Sequence, residues 1–348
     1  MKHSEVGILG GKLPTGPSGL IRYNTGMKNL WKNLPNGFTV LAPMYGATDT
    51  VFRQIVAGIG KPDVMVTEFW CVDQLYSFGS RVIGQLLEYT ESERPLIAQI
   101  WGTTPELFYN ASQLIVDLGF DGVDINMGCP EKSVMKGGAC AALISDPSLA
   151  AEIIQATKEG VAGSIPVSVK TRIGQKTMVT EEWCGFLLNQ ELDALTVHGR
   201  TAKEMSLVPA HWEEIGKVAA LAKQMGKDTK IIGNGDVERL AEVREKVSTY
   251  GVDGVMIGRG IFHNPWVFNP EFDPKQVTKT DRLALLTRHV KLFRDTWGDS
   301  KNYAELKRFY KIYISSFDGA SQLRDSLMHT TTYEEVLSLV EKEIEAVS

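Results

Sequence analysis

Cysteine is scarce in this chain of 348 residues: Cys71, Cys129, Cys140 and Cys184 are the only four. No two lie at C-x-x-C spacing and none has a histidine partner at zinc-finger distance. That argues against a structural metal, and the low usage points to a reducing compartment. An apolar run of membrane-spanning length is missing. Glycines and prolines follow Lys2 and His3, so the apolar core of a signal peptide is missing too. A soluble, cytoplasmic protein without membrane contact is the expectation. Excess positive charge is also lacking: the net charge is -5 and the pI about 5.8. A nucleic-acid partner would have to be met by a local basic patch. Finally, no G-x-G-x-x-G turn follows the first strand-like run, which counts against an open doubly wound sheet.

What is present is a repeating alternation. Short apolar runs end in polar or glycine-rich turns, at 38–42, 64–67, 96–100, 122–126, 166–170, 194–198, 230–233 and 254–257. Amphipathic stretches separate them, among them 105–118, 147–159, 181–190, 212–225 and 237–247. Strand and helix in strict alternation imply a parallel sheet with right-handed crossovers. Eight repeats fit a closed (β/α)8 TIM barrel, typically ~250 residues. The expected division is a poorly ordered arm at 1–36, a barrel at 37–274 and a helical domain at 275–348. In the last, helices are expected at 281–296, 303–317 and 332–347, with Thr332 as a cap. This region is basic and interleaves Tyr303, Phe309, Tyr310 and Tyr313 with its lysines and arginines. Such a pattern suits nucleic acid and suits a packed helix equally.

Barrel chemistry belongs at the C-terminal ends of the strands. There the sequence places Pro43-Met44, Glu68, Gln99, Asn126 with Cys129, Lys170 with Arg172, His198-Gly199-Arg200, Gly233–Asp236 and Gly258-Arg259-Gly260. Glycines in the last two turns leave room for backbone N–H groups to approach a phosphate, and Arg259 adds a fork of donors. Cys129 follows a strand between Gly128 and Pro130, on a loop continuing through a flexible basic run with Lys132 and Lys136. Free cysteine is commonly a small core residue. Its company at these strand ends favours a chemical role instead.

Taken together, LAPMYGATD (41–49), TEF (67–69), Gln99, NMGCP (126–130), SVKTRIG (168–174), VHGRT (197–201), IGNGDV (232–237) and MIGRG (256–260) resemble the dihydrouridine synthases. TEFWCVDQL with CPEKSV leans towards the bacterial C-type subfamily. The resemblance implies an FMN-dependent enzyme, fuelled by NADPH or NADH, that reduces uridine to 5,6-dihydrouridine in the D-loop of tRNA. It implies FMN contacts from Pro43, Met44, Tyr45, Gln99, Lys170, His198, Asn234, Gly235, Asp236, Gly258 and Arg259. Cys129 would be the proton donor, and Asn126 and Arg172 would hold the uracil. The helical tail would bind tRNA, and a monomer is expected. A thiol near its ordinary pKa of ~8.5 would be mostly protonated at neutral pH and able to give its proton up. A small-molecule FMN reductase of the dihydroorotate dehydrogenase type, or a tRNA-binding protein without catalysis, are the alternatives. The sequence departs from the family at Glu204, Ser206, His211 and Cys140.

Overall fold

The computed structural model describes residues 29–74, 84–273 and 275–346. Eight parallel strands close into a barrel in sequence order: β1 (Phe38–Leu41), β2 (Val64–Cys71), β3 (Leu96–Trp101), β4 (Gly122–Met127), β5 (Val167–Arg172), β6 (Ala194–His198), β7 (Lys230–Asn234) and β8 (Gly254–Ile257). Helices α1 (Thr50–Ile59), α2 (Pro105–Asp117), α3 (Lys132–Lys136), α4 (Pro147–Val161), α5 (Thr180–Leu188), α6 (Trp212–Gln224) and α7 (Leu240–Tyr250) lie between strands. The local causes are visible in the residues. Asp49 and Asp146 cap α1 and α4 by accepting from the Phe52 and Leu149 amides, and Pro105 and Pro147 open their helices.

Each strand buries both faces. In β4, Val123, Ile125 and Met127 join the core shared with the helices, while Asp124 and Asn126 take the opposite, inward parity. The lower barrel is filled by Phe38, Val40, Val64, Val66, Ile97, Ala194, Ile232 and Met256. Four aspartates brace its base. Asp63, Asp121, Asp193 and Asp253 each immediately precede an even strand. Each accepts from the odd neighbour's backbone, at the Thr39, Leu96, Val167 and Ile231 amides (2.7–2.9 Å). A side-chain acceptor at each of these junctions sets where the parallel register begins.

Three expectations need correction. Residues 29–36 are not a loose arm: Leu30–Asn33 forms a 3-10 turn whose Leu30 and Trp31 are buried beneath Phe38, and Asn29 donates to Asp193. Residues 1–28 lie outside the described residues. Strand β2 runs on past Thr67 to Cys71 through a register shift between Val66 and Phe69, which turns Glu68 inward, 2% exposed. The Lys132–Lys136 run is a short helix rather than a flexible loop.

Beyond β8 come α8 (Gly260–His263), α9 (Lys279–Trp297), α10 (Tyr310–Tyr313), α11 (Ala320–His329) and α12 (Tyr333–Glu345). Thr332 caps α12 as expected, accepting from the Glu335 amide. The helix expected over 303–317 is instead a 3-10 segment (Tyr303–Phe309) leading into α10. It stops before Ser316, whose φ of 64° no helix continues through. Helix α11 is an additional element between the expected helices. The aromatics are core rather than a nucleic-acid platform: Phe309, Tyr310 and Tyr313 are buried, and Phe309 stacks on Phe52 of α1 at 5.2 Å. No single helix among the described residues is long and apolar enough to cross a membrane.

Candidate active site

Two cavities flank the β4–α3 loop at the strand C-termini. The first, about 400 Å³, is lined by Pro43, Met44, Lys170, Arg172, His198, Asn234, Gly235, Asp236, Gly258 and Arg259, all expected from the sequence. Pro130 forms its edge on the cysteine loop. The second, about 390 Å³, has aromatic walls from Tyr45, Phe69, Trp70 and Trp101 and takes in Cys129 and Glu131. So Cys129 sits beside the first cavity but opens into the second. Tyr45 and Gln99 do not line the first cavity. Tyr45 is exposed and packs against Phe69, and Gln99 is fully buried.

Charge is concentrated in the first cavity. Lys170 makes no hydrogen bond or ion pair among the described residues, and burial with the nearby Arg172 lowers its pKa to about 8. Asp124 and Cys129 attract its charge without pairing with it, which leaves the ammonium able to join an anion in the cavity. Burial, with Lys170, Arg172 and Arg200 around it, drives the pKa of His198 far below the ordinary value, so the ring is neutral. The Arg200 guanidinium can only donate, so its 3.2 Å contact makes His198 Nε2 an acceptor and leaves the ring proton on Nδ1. Arg200 also pairs with Asp236 and donates to the Val208 carbonyl. The Asp236 carboxylate is thereby committed to the protein. Arg200 stood in the VHGRT motif without an assigned role, and this clamp is what it does.

The glycine turns are a cradle in the steric sense. A Cβ on Gly235 would come within 2.6 Å of the Ala210 Cβ, and its φ of 134° is one few side chains adopt. A Cβ on Gly260 would lie 2.2 Å from the Val237 carbonyl oxygen, whereas one on Gly258 would make only an ordinary contact, 3.6 Å from the Ala42 Cβ. An unpaired lysine and a glycine-lined end with Arg259 beside it fit a flavin cofactor.

Arg172 ties two loops together. It donates to the Gly128 carbonyl at 2.8 Å, and to the Thr201 and Met205 carbonyls at 3.0 and 2.9 Å. Its second terminal nitrogen has no partner among the described residues. Asn126 is committed more fully than expected. Its carbonyl oxygen accepts from the Gly128 and Cys129 amides, and its amide nitrogen donates to Gln99. In the altered loop after β6, Glu204 holds His211 at 3.1 Å and accepts from the Thr201 amide.

Cys129 differs from expectation in protonation. A hydrogen bond from the Cys140 thiol, then the Glu131 backbone and the Arg172 charge, outweigh burial and lower its pKa to about 6. The same contact raises Cys140. Cys140 holds a left-handed backbone, φ 55°, which brings its side chain to this spot. All four cysteines are free thiols.

Comparison with known proteins gives the family. A family model described as dihydrouridine synthase (Dus) matches residues 40–348. A probable tRNA-dihydrouridine synthase from Staphylococcus aureus (strain COL) is 42% identical over 318 residues, covering 90% of this chain and 95% of that protein. A probable tRNA-dihydrouridine synthase 2 from Bacillus subtilis (strain 168) is 43% identical, covering 90% and 96%. These matches do not single out a subfamily. Among solved structures, a histamine dehydrogenase from Rhizobium sp. 4-9 superposes with a TM-score of 0.54 at 12% identity. The alignment covers 88% of this chain and 62% of that protein, a likeness of fold alone. With the family model matched along most of its length and two such relatives, the chain belongs to the dihydrouridine synthase family.

Proposed function

We propose that this protein reduces uridine to 5,6-dihydrouridine in the D-loop of tRNA, with FMN held in the first cavity and NADPH as the source of electrons. The observation that carries the reading is the partnerless Lys170, set in one cavity with the glycine turns after β7 and β8 and bordered by the cysteine loop. Lys170, His198 and Met44 would hold the flavin ring, and Arg259 with Gly235 and Gly258 its phosphate. When bound and reduced, FMN supplies a hydride to C6 of the uracil. Cys129 then gives a proton to C5, so the C5=C6 bond is saturated and charge is balanced. Arg172, through its uncommitted nitrogen, is the group left to hold a uracil carbonyl. The aromatic walls beside Cys129 suit a flat base drawn out of its stack. On the helical region Lys301, Arg308 and Lys279 are spent on internal contacts, while Lys291 and Lys311 remain exposed for phosphates.

The purified protein should be yellow, release FMN on heating, and raise dihydrouridine in unmodified tRNA supplied with NADPH. Cys129→Ala should lower turnover by ~10²–10⁴ while flavin stays bound. Because the donor must be protonated, kcat/KM should fall as pH rises above about 6, the value for the free thiol. A colourless protein that leaves tRNA unchanged would overturn the proposal.

A further inference from the structure

Asp124 lies in the middle of the barrel, 4% exposed, and neither cavity reaches it. Its Oδ1 accepts from the Ser168 hydroxyl at 2.6 Å and its Oδ2 from the Gln99 side-chain nitrogen at 2.7 Å. Gln99 Oε1 in turn accepts from Asn126 Nδ2 at 3.0 Å. Asn126 Oδ1 accepts from the amides of Gly128 at 3.0 Å and Cys129 at 2.9 Å. The chain therefore runs from a buried carboxylate to the backbone of the cysteine loop.

Its direction is determined at both ends. An ionised carboxylate only accepts, so Gln99 must turn its NH2 towards Asp124 and its oxygen towards Asn126. Backbone amides only donate, so Asn126 must turn its oxygen towards Gly128 and Cys129 and its NH2 towards Gln99. One orientation of the two side-chain amides satisfies all these groups, and any flip leaves buried donors facing donors. From this geometry we infer that Asp124 is a positioning residue for the reaction: acting through Gln99 and Asn126, it holds the Cys129 loop in one orientation.

The catalytic meaning of this relay rests on the uridine-reductase reading, but the relay has a readout of its own. Alkylation of Cys129 by iodoacetamide, followed on its tryptic peptide, reports the loop without any turnover. Gln99→Glu places two carboxylates face to face. Asp124→Asn combined with Gln99→Glu keeps the net charge and lets both asparagine amides donate to the new carboxylate, which reverses the link between 124 and 99 but keeps Asn126 turned as in the wild type. Gln99→Glu should change the Cys129 alkylation rate at pH 7 by roughly tenfold or more and reduce tRNA turnover by a similar factor. The double variant should return both to within ~3-fold of wild type. Two equally impaired variants, or an unchanged alkylation rate in Gln99→Glu, would overturn the relay. If Gln99→Glu does not fold, Asp124→Leu, which removes the anchor, must show the altered alkylation rate or the inference fails. Normal alkylation behaviour with a wild-type protein inactive on tRNA would refute the function instead and leave the relay standing.

Discussion

Cys129 illustrates how much a single neighbour can matter. The largest influence on its sulfur is the thiol of Cys140. Cys140→Ala removes the donor that stabilises the thiolate. The midpoint of the Cys129 alkylation profile should then move up from about 6 towards the ordinary cysteine range near ~8.5. If the midpoint stays put, Arg172 and the loop backbone set it instead. The four cysteines and the order of motifs were legible in the sequence, but this contact was not. Residues eleven positions apart meet only because the intervening helix α3 folds the loop back.

At the scale of elements, the turns after β7 and β8 pack against each other as well as lining the cavity. Gly260 sits against the Val237 carbonyl, so Gly260→Ala must push the two turns apart. We expect a lower melting temperature and loss of bound flavin on gel filtration. Gly258→Ala, which meets nothing closer than 3.6 Å, should fold normally. The strand runs were readable from apolar periodicity to within a few residues, except at β2. Its register shift depends on pairing with β3, through the Thr67 side chain accepting from the Gln99 amide. The four aspartates ahead of the even strands could have been noticed as a repeat. Their purpose shows only when the neighbouring strand is in place.

Across the whole molecule, barrel and helical region share one hydrophobic core, and polar contacts also tie them together. Asp49 accepts from Trp297 and Lys301, Arg308 reaches the Gly46 carbonyl, and His289 is buried between Phe52, Phe309 and Tyr313. Burial lowers the His289 pKa to about 4. Its ring stays neutral in the fold but takes up a proton near pH 6.5 once unfolded. Protons therefore favour the unfolded chain, and stability should fall between pH 6.5 and about 4 by up to about 3 kcal/mol. Denaturant titrations at pH 7 and 4.5 measure this, and His289→Phe should flatten the difference. Asp49 is held below its usual value: burial opposes this, but Lys301 and the Phe52 amide outweigh it. It adds a loss in the same direction at still lower pH. In a second buried pair, Arg53 and Glu93 lie 2.6 Å apart with neither side chain exposed. Arg53→Met, which strands the carboxylate, should cost about 3–5 kcal/mol in the same titrations.

Sequence alone determined the eight-fold alternation, the closed barrel and the set of polar residues at the strand ends. Those follow from local periodicity and from turns written into short stretches of chain. Tertiary structure decided which of these residues face a cavity and which are spent on one another: Lys170 left without a partner, Asn126 and Asp236 committed, the tyrosines of the helical region packed inside. A side chain's hydrogen bonds and charge depend on groups brought from distant strands, and no local pattern specifies those neighbours.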